Sequence, residues 1–133
     1  MELNEYQRLA QRTCNMTDSP EDKIENGILG MCGEAGECAD LLKKHRHQKH
    51  DLDPEKLLEE TGDVLWYVAE TAAGLGKTLE EVAQHNIDKL KKRYPKGFDP
   101  ERSKNRPEYA AANQEENHGS TPALLFAMRN ETV

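Results

Sequence analysis

Two pairs of acidic side chains have a spacing that lets neighbouring carboxylates act together on one ligand. Glu34 and Glu37 are three residues apart, and Glu60 and Asp63 repeat this interval further along the chain. On a helix, residues three apart share one face, with Cβ atoms about 5–6 Å apart. Each pair could therefore close on one hard cation, and two antiparallel helices would bring all four carboxylates together.

Four unpaired carboxylates in one groove would raise one another's pKa, so this arrangement needs a positive counter-charge. A divalent cation with oxygen ligands, most naturally Mg²⁺ with Mn²⁺ as a substitute, supplies it and shares its coordination with phosphate oxygens. The residues thus favour a phosphate ester or anhydride as substrate, with the metal activating a water. The alternative is that the acids are solvated helix faces, which is usual for a single such pair.

Three glycines lie beside these acids, although a glycine inside a helix costs about 0.5–1 kcal/mol relative to alanine. They are Gly33, Gly36 and Gly62. We expect them to let a ligand or a neighbouring helix approach the backbone closely.

The composition describes one acidic domain with a small apolar fraction. The chain has 133 residues, of which 35% are hydrophobic, and a formal net charge of -7. This charge argues against binding to nucleic acid polymers or anionic membranes, which require a basic face. Three cysteines without a paired spacing, and the absence of an apolar leader or an 18-residue apolar run, predict a cytoplasmic protein with reduced thiols.

Apolar periodicity and capping signals predict four helices and no strands, which is an all-α fold. The predicted helices span residues 3–16, 20–44, 54 to about 75, and 78–94. One apolar stripe on the second helix is expected to face the core: Ile24, Ile28, Met31, Ala35, Cys38 and Leu42. The segment "VLWYVA" in the third helix is apolar nearly all round, which predicts a subunit interface. Residues after about Asp99 are polar and aperiodic, so we expect a catalytic domain at 1–98 and a mobile tail at 99–133, in which "ALLFAM" could dock.

The segments "GEAGECADLL", "EETGDVLWYVA" and "NIDKLKKRYPKGF" together resemble the MazG-like nucleotide pyrophosphohydrolases of the all-α NTP pyrophosphatase superfamily. The resemblance covers roughly residues 3–98. It implies a four-helix MazG-like bundle completed by dimerisation, as a homodimer or dimer of dimers with active sites at the subunit contact. It also implies magnesium-dependent hydrolysis of a nucleoside triphosphate to the monophosphate and pyrophosphate.

Carried over by position, Glu34, Glu37, Glu60 and Asp63 look like the catalytic metal ligands, and one glutamate would act as general base. Glu59 is ambiguous between a supporting acid and a surface residue.

Substrate-binding residues are expected on the third and fourth helices. Asn86, Lys89 and Arg93 lie along one flank of the fourth helix and could neutralise the phosphates; alternatively, Lys89 and Arg93 only complement the helix dipole. Trp66 could stack on a base, although aromatic residues in so apolar a helix are more often in a core or interface.

The remaining alternatives are a dedicated dUTP or dCTP hydrolase of the same superfamily, and a non-catalytic helical dimer that acts as an interaction module. The preferred base and sugar, and the choice between dimer and tetramer, stay open.

Overall fold

A computed structural model describes residues 1–15 and 17–105, which form an all-helical chain without named strands. The elements are a short 3₁₀ turn at Gln11–Thr13 and five helices: α1 (Leu3–Ala10), α2 (Pro20–Gln48), α3 (Pro54–Gly74), α4 (Leu79–Arg93) and α5 (Pro100–Lys104). The chain divides into two units, with the boundary between Ile87 and Asp88. No helix within the described residues has the length and apolarity needed to span a membrane.

The predicted helix starts are confirmed, and those of α2, α3 and α4 have side-chain caps. Ser19 and Asp22 form a reciprocal capping box at the start of α2, with Pro20 in the first helical position. The Asp53 carboxylate accepts the first backbone N–H groups of α3. Thr78 and Glu81 form the predicted box before α4, where the Glu81 carboxylate accepts the Thr78 N–H at 2.8 Å. These caps bind backbone donors that the first turn of a helix leaves unpaired.

The helices differ from prediction in three places: the end of α1, the end of α2 and an additional short helix, α5. Helix α1 stops at Ala10. Helix α2 continues to Gln48 through basic residues that were predicted to form a loop, because cations in the last turn of a helix interact favourably with the helix dipole. It ends where Lys49 adopts a left-handed conformation with φ 59°. Helix α5 lies within the predicted tail and is not one of the four predicted helices. The segment "ALLFAM" lies outside the described residues.

Helix α1 is held by polar side chains that bind the beginning of α4. The Gln7 side chain is buried, donates to the carbonyl of Lys77 at 3.0 Å and accepts the N–H of Leu79 at 2.9 Å. Asn4 accepts the N–H of Glu80 at 3.1 Å and donates to its carboxylate. These side chains thus add two caps to the first turn of α4 from a distant part of the sequence.

Helices α2 and α3 pack antiparallel, and glycines set how close they come. A Cβ at Gly27 would overlap the Thr71 hydroxyl and lie 3.0 Å from the carbonyl oxygen of Tyr67. A Cβ at Gly30 would overlap the ring of Tyr67. Gly74 is crowded in the same way by Ile24. Close helix contact therefore requires glycine at these positions, and it fixes which residues of α2 and α3 lie opposite each other.

Within the described residues the core is small, and the α2 stripe predicted to face the core is partly exposed. The buried hydrophobic residues are Ala10, Cys14, Ala69, Ala72 and Leu79, with Tyr6, Trp66 and Val68 packed against them. Ile28 and Leu42 of the predicted α2 stripe are 49% and 46% exposed. The described residues of this chain therefore leave part of the predicted stripe uncovered.

We predict that Gly27→Ala lowers the free energy of unfolding by about 1–3 kcal/mol, because the added methyl group has no room between the helices. Gly33→Ala is the matched control: it is exposed with nothing within 4 Å, and alanine favours the helix by about 0.5–1 kcal/mol. Urea unfolding of metal-free protein at one fixed concentration measures both. Equal losses in the two variants would contradict the packing argument.

Candidate functional site

Three of the four predicted acids converge where α2 faces α3. Carboxylate oxygens of Glu34, Glu60 and Asp63 all lie within 4.8 Å of one another. Glu34 comes from α2, and the other two come from successive turns of α3. We call these three residues the acidic cluster. Their convergence follows from helix packing, because Glu34 is one turn beyond Gly30 and Asp63 is one turn before Tyr67, which Gly30 contacts.

The acidic cluster is electrostatically strained. Glu60 is buried, with 6% of its surface exposed, whereas Glu34 is half-buried and Asp63 is exposed. Desolvation, followed by the charges of Asp63 and Glu60, raises the pKa of Glu34 above its ordinary value. A site that raises the pKa of its own carboxyl group favours either a bound proton or a bound cation.

Glu37, the fourth predicted acid, lies on α2 outside the cluster. Its side chain is exposed, and its charge is a smaller cause of the raised pKa of Glu34. Glu37 is therefore near enough to act on the cluster electrostatically. Its role as a metal ligand stays a prediction.

Lys56 provides a counter-charge inside this site. Its ammonium nitrogen lies 2.8 Å from Oε1 of Glu60 and 3.3 Å from Oε2 of Glu59. The hydrogen bonds to Glu60 and then Glu59 hold the pKa of Lys56 well above its usual range. Lys56 was not among the residues predicted for the site, although its three- and four-residue spacing to these glutamates is the ordinary signal for helix ion pairs.

Tyr6 is a second residue near the cluster that the sequence did not reveal. Burial, followed by the negative charge of Asp63, raises the pKa of the Tyr6 phenol. Tyr6 lies on α1, 57 positions before Asp63, so only the tertiary fold shows that the two are close.

Trp66 packs within the chain. Its indole N–H donates to the hydroxyl of Thr13 at 2.8 Å, and its ring meets the ring of Tyr67 edge-on at 4.9 Å. The indole also packs against the buried core. These contacts give Trp66 a structural role, and its stacking on a base stays a prediction.

The predicted phosphate-binding residues all lie on α4. Asn86 and Lys89 are exposed, and Arg93 is half-buried at the last helical position. Asn86 belongs to the first compact unit, whereas Lys89 and Arg93 belong to the second. Their role toward phosphates stays a prediction.

The glycines beside the acids do not serve close packing within the described residues. Nothing lies within 4 Å of a Cβ built on Gly33, Gly36 or Gly62. No helix of the described residues approaches there, because the close contact between α2 and α3 occurs at Gly27 and Gly30. Space for a ligand at these glycines stays a prediction.

Comparison with known proteins agrees with this geometry. Residues 23–98, more than half of the chain, match the MazG nucleotide pyrophosphohydrolase domain. The chain belongs to this family. The match includes every member of the acidic cluster, and it confirms the resemblance noted from the sequence.

One relative is the Gene 37 protein of Mycobacterium phage L5, which is 40% identical over 73 residues. The aligned region covers 52% of this chain and 64% of the phage protein, less than two thirds of the relative's length. Its name describes no activity. No solved structure matches the chain significantly.

The acidic cluster fits a hard divalent cation. All of its donors are carboxylate oxygens, the ligand type that Mg²⁺ and Mn²⁺ prefer, and they are close enough to share one ion. The MazG domain and the donor set thus both support a nucleotide pyrophosphohydrolase with a divalent metal.

We predict that Glu34→Gln raises the stability of metal-free protein at pH 7. A carboxyl group whose pKa is higher in the folded than in the unfolded state stabilises the fold at pH values below its ordinary pKa of 4.5. This contribution to stability is lost as the pH rises through the pKa of the folded state. The advantage of the variant should therefore shrink as pH falls toward 4.5. Urea unfolding in EDTA at several pH values measures it.

Glu25→Gln, the same change at an exposed position of α2 outside the cluster, is the control. Excess Mg²⁺ should stabilise the wild type more than Glu34→Gln, because the variant lacks one carboxylate ligand. If Glu34→Gln is less stable than the wild type when both are free of metal, the inferred electrostatic repulsion within the acidic cluster is contradicted.

Proposed function

We propose that this protein is a divalent-metal-dependent nucleoside triphosphate pyrophosphohydrolase, which converts a (d)NTP and water to a (d)NMP and pyrophosphate. The observation that carries the proposal is the convergence of Glu34, Glu60 and Asp63 from two helices inside a MazG domain. Three carboxylates that approach this closely suit a site that binds a metal together with a polyphosphate.

The acidic cluster, with Glu37 as the fourth ligand, would hold Mg²⁺, or Mn²⁺ in its place. The bound metal would polarise phosphoryl oxygens and lower the pKa of a water. A glutamate oxygen of the site accepts the proton of the attacking water. The water oxygen bonds to the α-phosphorus, the bond from that phosphorus to the α–β bridging oxygen breaks, and pyrophosphate leaves with the electron pair of that bond.

Cationic and polar side chains of α4 would hold the phosphate chain. Lys89 and Arg93 supply positive charge that the leaving pyrophosphate requires, and Asn86 adds a neutral amide donor. The regular spacing of these residues along α4 supports this role, as does their position inside or directly beside the segment "NIDKLKKRYPKGF", which lies within the matched domain.

We also propose that the protein functions as a homodimer or dimer of dimers. Large apolar side chains remain exposed on α2 and α3, including Leu29 at 64%, Leu58 at 66% and Leu65 at 41%. Burying apolar surface of this kind against a second copy favours association. The three free thiols, Cys14, Cys32 and Cys38, suit a reducing compartment such as the cytoplasm.

We predict that Asp63→Asn lowers kcat by at least about 100-fold, because the amide keeps the shape of the side chain and removes an anionic ligand. The assay measures pyrophosphate and nucleotide products from a panel of canonical and modified triphosphates, with Mg²⁺, with Mn²⁺ and with EDTA. Glu37→Gln should also reduce turnover if Glu37 is the fourth ligand. Circular dichroism checks that the helices persist.

Glu25→Gln should retain wild-type turnover, because it lies outside the cluster. Strong preference for dUTP or dCTP in the panel would establish the narrower activity. Full activity of Asp63→Asn would remove the proposed site. A folded wild type without metal-dependent turnover of any triphosphate would instead favour the non-catalytic interaction module.

A further inference from the structure

Lys56 makes an ion pair with the most buried carboxylate of the acidic cluster. It precedes Glu60 by one turn of α3, and its ammonium nitrogen lies 2.8 Å from Oε1 of Glu60. The Glu60 side chain is 9% exposed, whereas the Lys56 side chain is 49% exposed. The surrounding protein therefore holds the Glu60 carboxylate in place, whereas the Lys56 ammonium group lies at the end of a solvent-exposed side chain.

A divalent cation and Lys56 would compete for Glu60. A metal bound to this carboxylate would place two positive charges close to the same partly desolvated group, where their repulsion is weakly screened. Glu60 cannot move away easily because it is buried. The lysine can move, because its flexible four-carbon stem lets the ammonium take up new partners.

The charges around a bound substrate give Lys56 a second partner. The acidic cluster carries three carboxylates, and a nucleoside triphosphate adds several negative charges that one divalent cation does not balance. After its release from Glu60, the Lys56 ammonium group stays beside the acidic cluster, because its side chain is attached to α3 one turn before Glu60. Phosphate oxygens are good acceptors for its three N–H donors.

We propose that Lys56 is a substrate-binding residue, whose ammonium group leaves Glu60 when the divalent cation binds and then donates to the phosphate oxygens of the nucleotide. The proposal rests on the pyrophosphohydrolase function proposed above. It gives Lys56 opposite effects on the two ligands: the residue weakens metal binding without nucleotide and strengthens nucleotide binding with metal. A purely structural ion pair would not have both effects.

The test uses the full chain and the variants Lys56→Met, Lys56→Arg and Lys77→Met. Lys77 is the matched control, because it forms a similar four-residue ion pair with Glu81 at 3.0 Å outside the cluster. Binding of Mn²⁺ alone, without nucleotide, is followed by the electron paramagnetic resonance signal of the free ion. Steady-state kinetics with saturating Mg²⁺ and the best triphosphate of the panel then give KM and kcat.

Lys56→Met should bind Mn²⁺ about three- to tenfold more tightly and show a KM about three- to tenfold higher, as expected for loss of one half-exposed ion pair. Lys56→Arg should stay near the wild type in both measurements because it keeps the charge. Lys77→Met should match the wild type.

Unchanged or weaker Mn²⁺ binding by a folded Lys56→Met variant would overturn the proposal, as would tighter Mn²⁺ binding with an unchanged KM. In either case a wild type that binds Mn²⁺ and hydrolyses a triphosphate leaves the proposed function intact. A wild type that binds no Mn²⁺ and hydrolyses no triphosphate removes both. The direct metal titration therefore separates the two failures.

Discussion

The close approach of α2 and α3 at Gly27 and Gly30 is the constraint on which the candidate site depends. In an antiparallel pair, each step forward on one helix corresponds to a step back on the other. Once Gly30 lies against Tyr67, one further turn places Glu34 beside Asp63. A bulkier side chain at either glycine would separate the helices and so increase the distances among the carboxylates.

A buried polar contact supports the same register on the opposite side of the glycine contact. Glu70 is 1% exposed, and its carboxylate accepts the side-chain N–H of Asn26 at 2.7 Å. Burial, followed by the negative charge of Glu70, raises the pKa of the Cys14 thiol. A buried carboxylate without hydrogen-bond donors costs free energy. Sliding α2 along α3 would separate Asn26 from Glu70 and would therefore carry this cost. We infer that this contact favours one alignment over neighbouring ones.

The elements and the acid motif were predictable because their signals are local. Capping residues and proline mark the starts of α2 and α3 within a few positions, and the three-residue spacing places Glu60 and Asp63 on one face. Tyr6 and the Asn26–Glu70 contact could not be found in this way. Both depend on residues more than 40 positions apart, and only the tertiary fold determines which of them meet.

Glycine was the residue type whose role the sequence described least well. Glycines beside the acids suggested close approach at the site, yet a Cβ at Gly33 or Gly62 would have no described residue of this chain within 4 Å. The crowded glycines of α2, Gly27 and Gly30, precede Glu34 by about two turns and one turn. A glycine in a helix indicates that something is close, but the sequence does not say whether it is a helix, a ligand or another subunit. Packing within the chain explains Gly27 and Gly30, and the other two remain available to a ligand or a second copy.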